Sequence, residues 1–248
     1  MERVVLIQGA SRGIGLQFVR ELAQRPDTAK IFATCRRPGD AAELSALAEH
    51  YSNIDILTLD VAQETSVAAA AETLAARTDH IDLLINTAGL LHTDSQQPER
   101  RLREVNADAL RSSFEVNAIG PILMARYFEP FLFRSSHAVF ASLSARVGSI
   151  GDNRLGGWYA YRASKAAQNM FTRTLAIEWA RRTQPVICLA LHPGTVDTDL
   201  SRPFQKNVTA EKLFSVERAV KQLMSIIDGA SEKDTGRFIA WDGQDIPF

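Results

Sequence analysis

Val4-Val5-Leu6-Ile7-Gln8-Gly9-Ala10-Ser11-Arg12-Gly13-Ile14-Gly15 is the stretch from which the fold can be read. Val4–Ile7 is a short, continuously apolar run, as in a strand buried on both faces. Gly9, Gly13 and Gly15 then allow a tight turn and a close approach of the backbone to a ligand. Ile14, Phe18 and Leu22 follow at helical spacing, so the turn opens onto the start of a helix. Free N–H groups and the helix dipole favour an anion there, a phosphate being the simplest. The bland reading is a glycine-rich connection without a ligand. The order Gly-x-x-x-Gly-x-Gly differs from the common Gly-x-Gly-x-x-Gly turn, and the Lys-Ser/Thr ending of a nucleoside-triphosphate loop is missing. Gly9-Ala10-Ser11-Arg12-Gly13 also matches the nucleophile elbow of serine hydrolases, with Ser11 as nucleophile and a triad ending, for example, at His192. Ser11 follows the first strand, so no earlier loop could supply an oxyanion donor, and the hydrolase is kept only as a remote alternative.

The alternation of apolar runs and helical patterns continues to the end of the chain. Further strands are expected at Lys30–Thr34, Ile54–Leu59, Ile81–Ile85, Ala138–Leu143, Val186–Leu191 and Arg237–Ala240. Helices are expected at Ala41–Glu49, Val67–Arg77, Leu102–Phe133, Tyr159–Arg181 and Glu211–Asp228. Strands alternating with helices give an α/β fold, a seven-stranded parallel sheet with right-handed crossovers and helices on both faces. No linker or internal repeat divides the chain, so residues 1–248 are expected to form a single domain. The polar, weakly periodic stretch 197–210 is expected to be a loop or mobile helical segment that serves as a substrate lid.

Composition narrows the function. With 28 basic and 29 acidic residues the net charge is −1, which argues against nucleic acid or an anionic membrane surface as partner. No apolar run approaches the roughly 20 residues that cross a bilayer. Met1–Ile7 lacks the layout of a cleavable signal, and Cys35 and Cys188 do not suggest a disulfide framework; a reducing, cytoplasmic setting is expected. No Cys/His cluster has zinc-ligand spacing, so no metal is expected. His50, His80, His92 and His137 read as surface or loop residues, Arg100-Arg101-x-Arg103 as a solvated helix start, and Cys188 as inert core.

Beyond the glycine turn, Asn86-Thr87-Ala88-Gly89, Tyr161-x-x-x-Lys165 and Pro193-Gly194 occur in that order. Together these motifs resemble the short-chain dehydrogenase/reductase family over essentially the whole chain. Gly148-Ser149-Ile150 and the run Gly156 to Lys165 are most similar to its C-factor/sniffer-type carbonyl reductase branch. The resemblance implies a Rossmann-type doubly wound domain, a nicotinamide cofactor, and hydride transfer to or from a carbonyl or alcohol carbon.

Tyr161 and Lys165 lie one turn apart, so they share a helix face. A lysine ammonium near a phenol stabilises the tyrosinate and lowers its pKa. By the resemblance, Tyr161 donates the proton in reduction and Lys165 also holds the nicotinamide ribose. Tyr159 is a weaker rival, because one turn on it meets Ala163. The family's serine after the fifth strand is in doubt here: Ala145 occupies its usual slot, Ser144 fills the slot before it, and Ser142 and Ser149 are lesser candidates. Asn117 matches the helix asparagine that bends its helix and holds a water in a proton relay with the lysine; Pro121 could add a kink. Thr87 replaces the second asparagine of the Asn86–Gly89 motif, of which Asn86, Ala88 and Gly89 are expected near the adenine-side ribose. Asp60 and Val61 are expected at the adenine ring, with helix capping an equal reading for Asp60. In Pro193-Gly194-Thr195-Val196-Asp197-Thr198, the Val196 backbone and the Thr198 hydroxyl are expected at the nicotinamide carboxamide.

An acidic residue about twenty positions after the glycines holds the ribose 2′-hydroxyl in NAD enzymes, whereas a nearby arginine accommodates a 2′-phosphate. Here Cys35 stands in that place, followed by Arg36 and Arg37, and Arg12 lies in the turn with Ser11. Forked guanidinium groups match phosphate geometry, so NADP(H) is the expected cofactor, with Arg36 and Arg12 on the phosphate and Arg37 solvated. The expected function is NADPH-dependent reduction of an aldehyde or ketone. The alternative class is a cofactor-binding regulatory or signalling module with little catalysis. Leu90–Pro98 and the lid are expected to shape the substrate pocket. By analogy the chain is a homodimer or homotetramer, paired through Leu102–Phe133 and Tyr159–Arg181.

Overall fold

Each expected strand is present, and the reason its sequence is apolar throughout lies in the two cores around it. The computed structural model describes residues 2–248; Met1, part of the expected 1–248 domain, lies outside them. The strands are β1 (Arg3–Gln8), β2 (Thr28–Cys35), β3 (Ile54–Thr58), β4 (Leu83–Asn86), β5 (Val139–Leu143), β6 (Ile187–His192), β7 (Thr195–Val196), β8 (Leu213–Phe214) and β9 (Arg237–Ala240). Seven of them form one parallel sheet in the order β3-β2-β1-β4-β5-β6-β9, while β7 and β8 pair separately. The helices are α1 (Gly13–Ala23), α2 (Ala42–His50), α3 (Glu64–Ala75), α4 (Ala107–Phe114), α5 (Gly120–Leu132), α6 (Tyr159–Trp179) and α7 (Val216–Gly229).

Side chains alternate across a strand. Val5 and Ile7 of β1 enter one core with Phe18 of α1, Leu44 of α2 and Leu223 of α7. Val4 and Leu6 enter the other core with Val67 of α3, Phe128 of α5 and Trp179 of α6. With both faces covered, no position on the central strands is left for a polar alternation. The order of the strands reverses between β1 and β4. That places the turn after β1 beside the end of β4, at the crevice where open α/β sheets bind ligands.

Two expected helices start later than their sequences suggest. Leu102–Phe133 is divided: a single 3₁₀ turn at Leu102–Glu104, then α4, a π-helical turn at Glu115–Ile119, then α5. Leu102 is 72% exposed, so the apolar residue that suggested a helix start faces solvent. The helix begins where the Asn106 side chain can accept from Ala109 N–H. The arginine cluster at 100–103 therefore precedes the helix. Likewise α7 begins after Ser215, whose hydroxyl accepts from Arg218 N–H, and Leu213–Phe214 before it are strand.

In the π turn the Gly120 N–H bonds to Glu115 O, five residues back. Pro121 follows at the start of α5 and has no N–H, so Asn117 O cannot receive the usual α-helical bond from it. Asn117 thus lies in a π turn that the proline after it helps to keep out of α-helical bonding.

Candidate active site

The glycine turn is fixed by its neighbours. Gly9 has φ +87, and a Cβ there would lie 2.8 Å from Ala88 N. The Thr87 hydroxyl donates to Gln8 O at 2.7 Å and to Gly9 O at 3.0 Å, and Ala88 N–H donates to Gln8 Oε1. The residue that departs from the family's second asparagine therefore ties the end of β4 to the turn. Arg12 caps α1 without a side-chain bond, and the first helical turn carries no acid, which leaves the N–H groups of Gly13, Ile14 and Gly15 facing the cleft without a competing anion. Ser11 makes no hydrogen bond to a histidine among the described residues, so the hydrolase alternative has no geometric support.

The two cations after β2 differ in their partners. Arg37 pairs with Asp40 at 3.4 Å. Arg36 is exposed and has no ion pair among the described residues. Arg12 reaches Asp199 in the 197–210 segment at 3.0 Å, and both side chains are exposed. Cys35 ends β2 as a buried thiol whose pKa burial raises. Asp60 is not the cap of α3, which is Gln63; its Oδ1 accepts from Ala62 N–H and holds the turn before that helix. The Val61 side chain is buried, and a Cβ on Gly120 would lie 2.4 Å from it, so only the backbone of Val61 is left for a ligand. Asn86 donates to Ser142 Oγ at 3.0 Å, and its buried Oδ1 has no partner among the described residues.

The head of α6 holds a buried tyrosine and lysine. Tyr161 and Lys165 are 8% and 3% exposed, and the Lys165 ammonium lies 5.9 Å from the centre of the Tyr161 ring. The ammonium donates to Leu143 O at 2.8 Å and to Gln168 Oε1 at 2.9 Å. Burial pushes the phenol above its ordinary value and pulls the ammonium down to about 7. This corrects the expectation that the lysine depresses the tyrosine: both groups sit where water is scarce, and desolvation of each charged form dominates. Asn117 is buried, its Oδ1 accepting from Leu90 N–H while its Nδ2 donates to Leu90 O and Ser164 Oγ. Its side chain therefore pins the loop after β4 to α6.

Each of the three candidate serines is hydrogen-bonded, but only Ser144 spends its proton within the protein. Ser144 donates to Asn169 Oδ1 at 2.6 Å, Ser142 accepts from Asn86, and Ser149 accepts from Asp152 N–H. The one proton of Ser144 is committed, so donation to a substrate oxygen would require exchange of that bond. Tyr159, the rival, is 40% exposed.

Pro193 and Gly194 follow β6. Gly194 has φ +81, and a Cβ there would lie 2.6 Å from the Phe214 ring. His192, just before, has a buried Nδ1 without a partner among the described residues, and burial lowers its pKa to about 4, so the ring is neutral at physiological pH. The 197–210 segment is ordered by 3₁₀ structure at Arg202–Asn207 and lies over the cleft. Thr198 faces Gly13, His92 meets Asp199 O at 3.2 Å, and the Phe204 ring is 5.0 Å from that of Trp158.

A family model for short chain dehydrogenases matches residues 3–209. The chain belongs to that family. An NADPH-bound carbonyl reductase from chicken fatty liver superposes with a TM-score of 0.90 at 32% identity, covering 100% of this chain and 99% of that one. The carbonyl reductase Sniffer of D. melanogaster gives 0.89 at 28% identity, with both chains fully covered. The 1-hydroxy-2-glutathionyl-2-methyl-3-butene dehydrogenase of Rhodococcus sp. (strain AD45) is 31% identical over 96% of each chain. The chain is thus an oxidoreductase of this family, structurally close to carbonyl reductases. Among the described residues no helix is long and apolar enough to cross a membrane, and no cluster of His, Cys, Asp and Glu could hold a metal.

Three groups of this short-chain dehydrogenase were not singled out from its sequence. Gln168 lies three residues after Lys165 and accepts from its ammonium; helical spacing alone could have indicated it. Asn169 orients Ser144. Glu99, 3% exposed, accepts at Oε2 from Ala160 N–H in the first turn of α6 and at its backbone O from Trp158 N–H. This distant carboxylate caps the helix that carries Tyr161 and has no local signal in the sequence.

Proposed function

We propose that the chain is an NADPH-dependent reductase of aldehydes or ketones. The observation that carries this reading is the buried pair Tyr161 and Lys165 at the head of α6. Burial keeps the phenol protonated at physiological pH, which is the form that reduction consumes. The cofactor, when bound, supplies hydride to the carbonyl carbon. Tyr161 gives its proton to the carbonyl oxygen, and the Lys165 ammonium stabilises the tyrosinate left behind. Asn117 supports the return of a proton through a water near Lys165, and Ser144 orients the oxygen after exchanging its bond to Asn169.

The residues present fit a phosphorylated dinucleotide. Gly9, Ser11, Arg12, Gly13, Ile14 and Gly15 would hold its pyrophosphate side. Arg36, without an acid in the position of Cys35, would meet the 2′-phosphate beside Arg12. Asp60 and Val61 would take the adenine, Asn86, Ala88 and Gly89 the adenine-side ribose. Tyr161 and Lys165 would take the nicotinamide ribose, and Pro193, Gly194, Val196 and Thr198 the carboxamide. That the carbonyl reductase of chicken fatty liver carries NADPH supports this assignment. The 197–210 segment acts as the lid of a single catalytic domain. Pairing into a cytoplasmic dimer or tetramer through α4, α5 and α6 is favoured by the exposed Met170 and Ile177 on α6.

Titration of purified protein with NADPH and NADH at one fixed salt concentration, followed by turnover on a carbonyl panel, tests the reading. Preference for NADPH and turnover support it, and binding of neither cofactor sinks it. Arg36→Ala is expected to lower the NADPH/NADH selectivity ratio by about tenfold or more, since hydrogen bonds to charged groups contribute roughly 1.5–3 kcal/mol. An unchanged ratio would remove Arg36 from the phosphate site.

A pH dependence follows from Lys165. Its folded-state pKa lies below the ordinary lysine value, so the ammonium is present below about 7 and lost above it. Reductase kcat/KM is therefore expected to hold steady on the acid side and decline as pH rises through that point. A profile flat to about pH 9 would contradict a free-enzyme role for the charged lysine.

The regulatory alternative rests on Ala145 and on the committed proton of Ser144. Tight cofactor binding with no turnover on any carbonyl would favour it.

A further inference from the structure

A cleft of about 570 Å³ opens beside the lid, lined by Gln97, Pro98, Arg100, Glu104, Trp158 and Phe204. That volume is in the range of small-molecule sites. One wall leads directly to the proposed proton donor: the Trp158 ring is 6.3 Å from the Tyr161 ring on one side and 5.0 Å from the Phe204 ring on the other. The wall is built at a conformational cost. Trp158 is the one non-glycine residue with positive φ among the described residues, at +51. Such strain persists only where the surroundings over-determine it. Here Glu99 supplies the constraint, binding Trp158 N–H through its backbone and Ala160 N–H through its carboxylate. The segment that ends in Arg100 is thereby clasped to the head of α6.

One cation, Arg100, lines this cleft, and two more follow it closely in the chain. Arg100, Arg101 and Arg103 are exposed and have no ion pairs among the described residues. The acid beside them, Glu104, lies on the same rim, but its Oε2 already accepts from Arg100 N–H at 2.7 Å. Hydrogen bonds from the Arg100 and Arg101 backbones hold its pKa down. Arg100 is the cation of the lining, and with Glu104 engaged by backbone N–H groups the Arg100 guanidinium is left for an anion at the mouth. Flat apolar surface suits the aromatic wall, and a planar guanidinium suits a carboxylate, which it meets with two parallel hydrogen bonds.

We propose that this cleft is the substrate pocket and that it selects carbonyl compounds carrying a carboxylate on a flat apolar frame, with Arg100 reading the carboxylate. The proposal rests on the reductase reading of Tyr161 for its chemistry and on the cleft alone for its ligand class.

The test compares 4-carboxybenzaldehyde with the neutral 4-formylbenzamide as substrates of the full chain with NADPH. At about 20 mM salt the wild type is expected to favour the carboxylate about tenfold in kcat/KM. Arg100→Gln is expected to bring the ratio close to one while changing the neutral probe by less than about twofold. Raising salt to about 500 mM should shrink the wild-type preference and leave that of the variant unchanged, because an exposed pair is screened. A wild-type ratio at or below one, or an unchanged ratio in Arg100→Gln, overturns the proposal. Tryptophan fluorescence titrations with benzoate and benzamide, with Trp158→Phe as the control for the reporting ring, separate the two readings. Benzoate binding that needs Arg100, in a protein that reduces neither aldehyde, keeps the pocket and sinks the reductase. Turnover without carboxylate preference does the reverse. No selective binding and no turnover sinks both.

Discussion

Tyr161→Phe is expected to fold, to bind cofactor as the wild type does, and to lose about 10²–10⁴-fold in reductase turnover. The loss should fall on kcat, because the missing group acts on the oxygen while charge develops there. Stability should change little. The ring keeps its contact with Trp158, and the hydroxyl has no hydrogen-bond partner in the protein among the described residues to leave orphaned. The magnitude rests on how poor the substitute donors are. Hydride addition leaves an alkoxide that must acquire a proton. Ala145 has none to give, and the proton of Ser144 is held by Asn169. Ser142 and Ser149 accept from Asn86 and from Asp152 N–H and keep their protons, but an aliphatic hydroxyl is a far weaker acid than a phenol. His192 is neutral, so it carries no ready acidic proton. A folded, cofactor-saturated variant that keeps turnover within about tenfold of wild type would mean that one of these groups rearranges, and Ser144→Ala in that background would identify the first suspect.

The sheet was legible because each strand is buried on both faces, and such burial writes itself as an apolar run. Val4–Ile7 reads as a strand without any knowledge of what covers it, and the two cores that share its alternate side chains explain why. Helix starts were less legible. Leu102 looks like the first apolar residue of a helix, yet it faces solvent, and the start is set by the Asn106 side chain. The π turn at Glu115–Ile119 is a choice of bonding partner by one residue, which periodicity does not resolve.

The site was legible where its members are near in sequence. Tyr161 and Lys165 share a face by spacing, and Cys35 stands in place of an acid at a countable distance from the glycines, with Arg36 directly after it. Contacts between distant segments left no such mark. Glu99 caps α6 from across the cleft, and nothing about a glutamate before Arg100 says so. The commitment of Ser144 depends on Asn169 being buried against the end of β5, a fact of packing. The same holds for the tyrosine: spacing predicted a lowered pKa from the neighbouring charge, but burial, which decides the sign, is a property of the folded chain.

Gly15→Ala is the substitution expected to damage the fold and the cofactor site together. One general effect favours alanine in the first turn of a helix: it loses less backbone freedom on folding than glycine, which is worth about 0.4–1 kcal/mol. Geometry opposes it. A Cβ on Gly15 would lie 2.2 Å from Gly9 O and 2.6 Å from Thr87 Oγ1. Neither can simply step aside. Gly9 N–H and Ala10 N–H both bond to Thr34 O on β2, and Thr87 Oγ1 donates to Gly9 O and Gln8 O. The strain therefore spreads through the turn into β2 and the end of β4, and a contact this close to a backbone oxygen puts the cost at the upper end of the usual overpacking range of about 1–3 kcal/mol. A net loss of about 2 kcal/mol corresponds to a fall in Tm of about 4–8 °C for a chain of this size. Because the displaced atoms are those expected to cradle the pyrophosphate, NADPH affinity should fall by about tenfold as well. Gly39→Ala, where a Cβ would meet nothing within 4 Å, is the matched control: Tm should hold or rise slightly and NADPH affinity should be unchanged. If Gly15→Ala melts with the wild type and binds NADPH equally well, the turn has slack that these distances deny, and the glycine would owe its place to neither packing nor phosphate.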